Sequence, residues 1–103
     1  MDAPKVRAYQ DMTVSDMKFT DRRVSWCQGV GAVPAISAFE LKPGMWRVYN
    51  TGAVSKVLAV EVRKASVYYS VQTESGKIYE NVKSLGKTLI PVCVDAAGKP
   101  VQN

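Results

Sequence analysis

The chain of 103 residues contains no histidine and only two cysteines, Cys27 and Cys93. Histidine is the side chain that most often binds metals and transfers protons near neutral pH, so its absence removes the usual basis of zinc centres and general-base catalysis. Two cysteines are too few for a zinc site or a disulfide scaffold. We therefore expect a protein that is not an enzyme, that holds no metal or cofactor, and whose two thiols are buried and reduced.

The chain also lacks long apolar runs. No uninterrupted apolar stretch approaches the roughly 20 residues that a membrane-spanning helix requires. Charged side chains interrupt the first thirty residues throughout, which excludes the continuous apolar block of a signal peptide. With 47% hydrophobic and 22% charged residues, the composition is that of an ordinary globular domain. These features predict a cytoplasmic protein that does not associate with membranes.

Residues 44–92 contain five short segments rich in β-branched and aromatic residues, separated by turn residues. They read Gly-Met-Trp-Arg-Val-Tyr, Val-Leu-Ala-Val-Glu-Val-Arg, Val-Tyr-Tyr-Ser-Val-Gln-Thr, Lys-Ile-Tyr-Glu and Thr-Leu-Ile-Pro-Val. Short strands at such spacing are typical of small antiparallel barrels, which serve as binding scaffolds more often than as enzymes. The pattern therefore predicts a mainly β fold.

The order of these segments resembles that of the SH3-like barrels, including the Tudor and KOW types. The shared features are a turn at 42–44, a strand led by glycine, three meandering strands, a helical turn at 81–87 and a closing strand. The resemblance covers about half of the chain, and residues 1–43 have no counterpart in it. It implies an SH3-like barrel of about five strands.

The domain organisation predicted from these patterns is simple. Residues 1–12 form a flexible arm, residues 13–94 form one β-barrel-type domain with its core at about 43–93, and residues 95–103 form a frayed tail.

The segment that precedes the barrel is expected to add an N-terminal extension to the fold. It comprises a short helical turn at 14–18 and a strand at 23–27, then a loop at 28–34 and a short strand at 35–41.

Two details of the barrel decide which side chains face its interior. Alternation places Val67, Tyr69 and Val71 on one face of their strand, opposed by Tyr68. The turn at 73–77 has two solutions. A type I turn closed by a glycine bulge sets Tyr79 beside Val71 in the core, whereas a two-residue turn places Ile78 on the core face and exposes Tyr79. The sequence leaves both open.

Alternation in the preceding strand places its apolar residues on one face. These residues are Leu58, Val60 and Val62, and Val57, Ala59, Glu61 and Arg63 are opposed to them.

The net charge of +5 and the pI of about 9.4 favour a polyanionic partner. Nucleic-acid surfaces combine cations for phosphates with flat rings on which bases stack. Our leading hypothesis is therefore a non-catalytic module that binds nucleic acid, with Tyr68 as a stacking ring. The predicted contact residues are Arg47, Lys56, Arg63, Lys64, Tyr68, Lys83 and Lys87.

The alternative is a protein that assembles with another protein or with a second copy of itself. Residues 30–36 are apolar and carry no charge, and antiparallel sheets with open edges pair readily. In that case the interface would involve Val30, Val33 and Ile36, together with exposed strand edges.

Overall fold

A computed structural model describes residues 3–8 and 23–103, which form seven strands and one 3₁₀ turn at Ala38–Glu40. The predicted helical turn at 14–18 lies outside the described residues. The strands are β1 (Val24–Cys27), β2 (Gly31–Ser37), β3 (Trp46–Val48), β4 (Val54–Arg63), β5 (Ser66–Thr73), β6 (Ile78–Leu85) and β7 (Leu89–Pro91). The prediction of a mainly β fold is confirmed.

The strands form two antiparallel sheets. One has the order β1-β2-β7, and the other has the order β3-β4-β5-β6. A single bridge between Arg47 and Val92 links their edges, and the Cys93 amide donates to the Trp46 carbonyl at 2.9 Å. Neither sheet closes on itself into the predicted five-stranded barrel. The closing strand β7 pairs with β2 in the smaller sheet and not with the strands of the larger one.

The turn between β5 and β6 is a type I turn followed by a glycine bulge. The Gly76 amide donates to the Thr73 carbonyl at 2.9 Å, and Gly76 has a φ of 95°, which glycine adopts at low cost. This turn sets Tyr79 directly opposite Val71, so the first of the two predicted registers is confirmed. The expected burial of Tyr79 is wrong, because on this last strand of the sheet its side chain is 46% exposed.

Two bulges change the direction of side chains farther along the sheet. The register of β4 against β5 shifts between Val57 and Ala59, so Val57 shares the buried face with Val60 although an even alternation would oppose them. In β6, two residues oppose Ser70, and Asn81 adopts a φ of 56°. Bulges of this kind leave no clear mark in a hydrophobic pattern.

The larger of two apolar clusters joins the β4–β5 hairpin to the other sheet. Val57 and Val67 of the hairpin pack with Ile36 of β2 and with Ile90 of β7. Tyr69 and Val71 belong to the same cluster, as the alternation in this strand predicted. The cluster is built from elements distant in sequence, so it forms only when both sheets are in place.

The second cluster surrounds Trp46. Val48, Cys27, Val33 and Cys93 are buried with it. Residues 3–8, predicted to be part of a flexible arm, lie against this cluster through Ala3 and Val6.

Residues 95–103 are not frayed. The Asp95 amide donates to the Lys99 carbonyl at 2.8 Å, which closes a turn. Farther along, Gln102 bridges to Met45, and the Trp46 indole Nε1–H donates to Asn103 Oδ1 at 3.0 Å. The polar composition concealed this order because the tail is held by hydrogen bonds.

Several local predictions need correction. The stretch 28–34, with two glycines and a proline, is a turn followed by the first residues of β2. Pro34 has no amide hydrogen to donate, but its carbonyl accepts a hydrogen bond from the Val92 amide at 3.0 Å. The predicted strand at 35–41 ends at Ser37, and a 3₁₀ turn follows. Most of the predicted helical turn at 81–87 belongs to β6. The strand predicted at 23–27 is confirmed as β1.

The contact between the tail and Trp46 is testable by replacing Asn103 with alanine. The substitution removes the acceptor of a partly buried indole N–H, so we expect the free energy of unfolding to fall by about 1–3 kcal/mol. Urea denaturation followed by fluorescence measures this. Lys99→Ala, an exposed change in the same tail, serves as the control, and equal midpoints for the two variants would contradict the contact.

Candidate functional site

The register of the larger sheet brings five of the seven predicted nucleic-acid residues to one end. Tyr68 is paired with Lys83, and Arg63 lies across from Ser66, two residues before Tyr68. The Gly86 amide donates to the Ala65 carbonyl at 2.7 Å, which joins the turn that carries Lys64 to the turn that carries Lys87. We call this surface the basic end: Arg63, Lys64, Tyr68, Lys83 and Lys87.

Cations surround the ring of Tyr68. The guanidinium carbon of Arg63 lies 4.6 Å from the ring centroid, and Lys83 Nζ lies 5.9 Å from it. A phenol ring attracts cations through its negative face. The half-buried ring therefore has two cationic groups over it.

Two carboxylates temper the charge of the basic end. Arg63 donates to Glu61 at 2.8 Å, and this contact lowers the pKa of Glu61 and raises that of Arg63. Glu61 and Glu80 line a shallow depression of about 330 Å³ beside Tyr68, over the β6 bulge. A polyanion would therefore bind toward the two turns, away from this depression.

The other two predicted residues are not part of the basic end. Lys56 is paired with Trp46 and Gln72, toward the opposite end of β5. Arg47 is paired with Ser55, one residue out of phase with Lys56, so it lies on the other face of the sheet.

Arg47 instead lines an open apolar groove of about 660 Å³. The floor includes Val71 and the buried Ser55, and Tyr49 and Tyr79 form part of its walls. We call this the Arg47 groove. Sequence reasoning missed it because Tyr79 reaches it only in one of the two hairpin registers.

The Arg47 guanidinium is half-buried and lies beside two tyrosines. Its carbon lies 4.7 Å from the Tyr49 ring centroid and 6.0 Å from that of Tyr69, and one terminal nitrogen donates to the Tyr69 hydroxyl. Its Nε is buried without a hydrogen-bond partner. Within residues 3–8 and 23–103, the ion pairs are Arg23–Glu40 and Arg63–Glu61, so Arg47 forms no ion pair with a described carboxylate.

The predicted protein-interface residues are mostly inside the molecule. Val33 is 0% exposed and Ile36 is 2% exposed, and Val30 packs against the Trp46 cluster. The apolar run at 30–36 is therefore core, since its strand lies between β1 and β7 and contributes to both apolar clusters.

Exposed large apolar side chains occur on several strands, among them Trp26 of β1 at 71% and Val62 of β4 at 53%, and three of them lie on β6. Ile78 is 52% exposed, Tyr79 46% and Leu85 63%. In the part of the chain that the structure describes, β6 is the last strand of its sheet and only one of its edges is paired. An edge with large exposed apolar residues favours pairing with another strand.

Both cysteines are free and buried, as predicted. Burial raises the pKa of the Cys93 thiol to about 12, with a further contribution from the negative charge of Glu74. Burial also raises the pKa of Cys27, and Arg47 partly opposes this shift.

Searches of the described residues for metal ligands and membrane spans gave no candidates. Residues 3–8 and 23–103 contain no group of three or more cysteine, aspartate or glutamate side chains placed to hold a metal ion. No helix in these ranges has the length and apolar character needed to cross a membrane.

Comparison with known proteins gives no relative for this architecture. No protein-family model matches the chain, and neither curated proteins nor solved structures include a significant match.

The raised pKa values predict that the thiols are unreactive in the folded protein. At pH 8 a thiol with a pKa of about 12 is only about 0.01% thiolate, so alkylation by iodoacetamide should be roughly a hundredfold slower or more than in urea. Mass spectrometry of the native and unfolded protein measures both rates. Cys93→Ala assigns any residual reaction to Cys27, and similar native and unfolded rates would contradict the burial of both thiols.

Proposed function

We propose that the protein is a non-catalytic module that binds single-stranded nucleic acid at the basic end. The observation that supports this most directly is the position of Arg63 and Lys83 over the ring of Tyr68. Bases stack on aromatic rings with about 1–3 kcal/mol per base, and phosphates follow the neighbouring cations. One nucleotide on Tyr68 therefore has its ring partner and its charge partners within one cluster.

Single strands fit this surface better than duplexes. The ring of Tyr68 is held on a strand, not on a protruding element that would enter a groove, so a base must be unstacked to reach it. The two turns that carry Lys64 and Lys87 then extend the path of the phosphate backbone past the sheet end. In this arrangement the protein contacts the phosphate backbone and the flat face of a base, which are common to all nucleotides. We therefore expect little sequence preference.

Fluorescence anisotropy of a labelled single-stranded oligonucleotide tests the proposal. For single strands, the logarithm of the binding constant falls with the logarithm of the salt concentration, with a slope of about −0.7 per phosphate contact. The four cations of the basic end therefore predict a slope of about −3. Arg63→Glu with Lys83→Glu should abolish binding at about 100 mM salt and flatten the slope. Tyr68→Ala should weaken binding by about 1–3 kcal/mol with little change in slope.

The matched control is Lys77→Glu. It reverses one charge, as Lys83→Glu alone does, but at the other end of the β5–β6 hairpin, roughly 20 Å away by the rise of a strand. It should leave affinity nearly unchanged. If Lys77→Glu weakens binding as much as the charge reversals at the basic end, the attraction reflects net charge alone and the site is misplaced. Absence of binding at low salt would refute the function.

A second candidate function is self-assembly through β6. The observation that favours it is the exposure of Ile78 and Leu85 on a strand with one unpaired edge among the described residues. Antiparallel pairing of β6 with β6 of a second copy would extend the sheet continuously and cover these side chains.

The two functions respond to salt in opposite directions. Each copy carries a net charge of +5, so salt strengthens self-association but weakens binding to nucleic acid. Sedimentation equilibrium should detect a dimer that Ile78→Lys with Leu85→Lys converts to a monomer of unchanged circular dichroism. A monomer at every concentration and salt, or a dimer unaffected by both lysines, would rule out assembly through β6.

A further inference from the structure

The Arg47 groove has the dimensions of a small-molecule site. Its volume of about 660 Å³ lies within the roughly 300–1,000 Å³ that is usual for such sites. It is bounded by residues of four strands, β3 to β6, and by the β5–β6 turn, and its lining is predominantly apolar. A flat apolar body can therefore lie against Val71 and Val82, between Tyr49 and Tyr79.

The Arg47 guanidinium is a cation with unsatisfied hydrogen-bonding capacity in this mostly apolar groove. Among residues 3–8 and 23–103, its one direct hydrogen bond goes to a neutral hydroxyl, and its Nε is buried without an acceptor. Removing part of a cation from water is costly unless an anion or hydrogen-bond acceptors compensate it. Guanidinium groups pair best with planar anions, among which a carboxylate is the simplest.

Glu74 restricts which anions can enter. It lies on the exposed turn between β5 and β6 and is the one carboxylate among the residues that line the groove. A singly charged ligand that pairs with Arg47 forms a pair of zero net charge, so Glu74 repels it only weakly. A dianionic phosphate monoester or a nucleic-acid backbone would keep negative charge facing it and be repelled.

We propose that the Arg47 groove binds a small monocarboxylate with a flat apolar body, its carboxylate against the Arg47 guanidinium. The site lies on the face of the sheet opposite to Tyr68, so it is independent of the proposed nucleic-acid function.

Titration with 2-naphthylacetate, followed by two-dimensional ¹H–¹⁵N NMR of the full chain, tests this assignment. The expected result is saturable shifts centred on Arg47, Ser55, Val71 and Tyr79. The neutral analogue 2-naphthylacetamide should bind at least about tenfold more weakly, since a hydrogen bond to a charged group contributes about 1.5–3 kcal/mol. Equal affinity of acid and amide, no saturation by the acid, or shifts centred elsewhere would overturn the proposal.

Three variants separate recognition from folding. Arg47→Met should reduce affinity for the acid to that of the amide. Tyr79→Ser alters a half-exposed wall and should weaken acid and amide equally, which keeps a test available if Arg47→Met does not fold. Glu74→Gln should leave the acid bound and improve binding of 2-naphthyl phosphate by about tenfold, and an unchanged preference would remove Glu74 from the assignment.

Discussion

The three-residue strand β3 is the element on which the rest of the structure depends. Its neighbour Met45 enters the larger apolar cluster, whereas Trp46 and Val48 enter the second one. Arg47, between them, bridges to Val92 and joins the edges of the two sheets. Because successive side chains of a strand point to opposite faces, this short segment contributes to both cores at once. The turn at 42–44, the tail and the Arg47 groove all take their positions from it.

The position of β3 explains why the two candidate sites do not share a face. β4 pairs with β3 through Lys56 and Ser55, and with β5 on its other side through Glu61 and Tyr68. Between these pairs, the bulge at Leu58 shifts the register, so the core face of β4 runs from Val57 to Val60. Side chains that an even alternation would set on one surface are thereby divided between a solvent-facing end and a groove.

Sequence reasoning predicted the features that follow from local periodicity. The β class, strand β1, the buried face of β5 and the burial of both thiols follow from composition and alternation. The register of the β5–β6 hairpin was one of two solutions, and it decides whether Tyr79 reaches the Arg47 groove. The pairing of β2 with β7 could not be predicted from periodicity. This pairing joins residues more than fifty positions apart, and nothing in either apolar segment indicates which strand it pairs with.

The contrast between Arg63 and Arg47 shows why composition alone assigned them the same role. Both arginines contact tyrosine rings, yet Arg63 is exposed and paired with Glu61, whereas Arg47 is half-buried and pairs with no described carboxylate. Water screens an exposed cation, so its partner is exchangeable, which suits the proposed surface for successive phosphates. A half-buried cation is screened less and is held by its neighbours, which suits the proposed site for one small anion. The difference between the two arginines lies in the register of β3 and β4, which places them on opposite faces of the sheet.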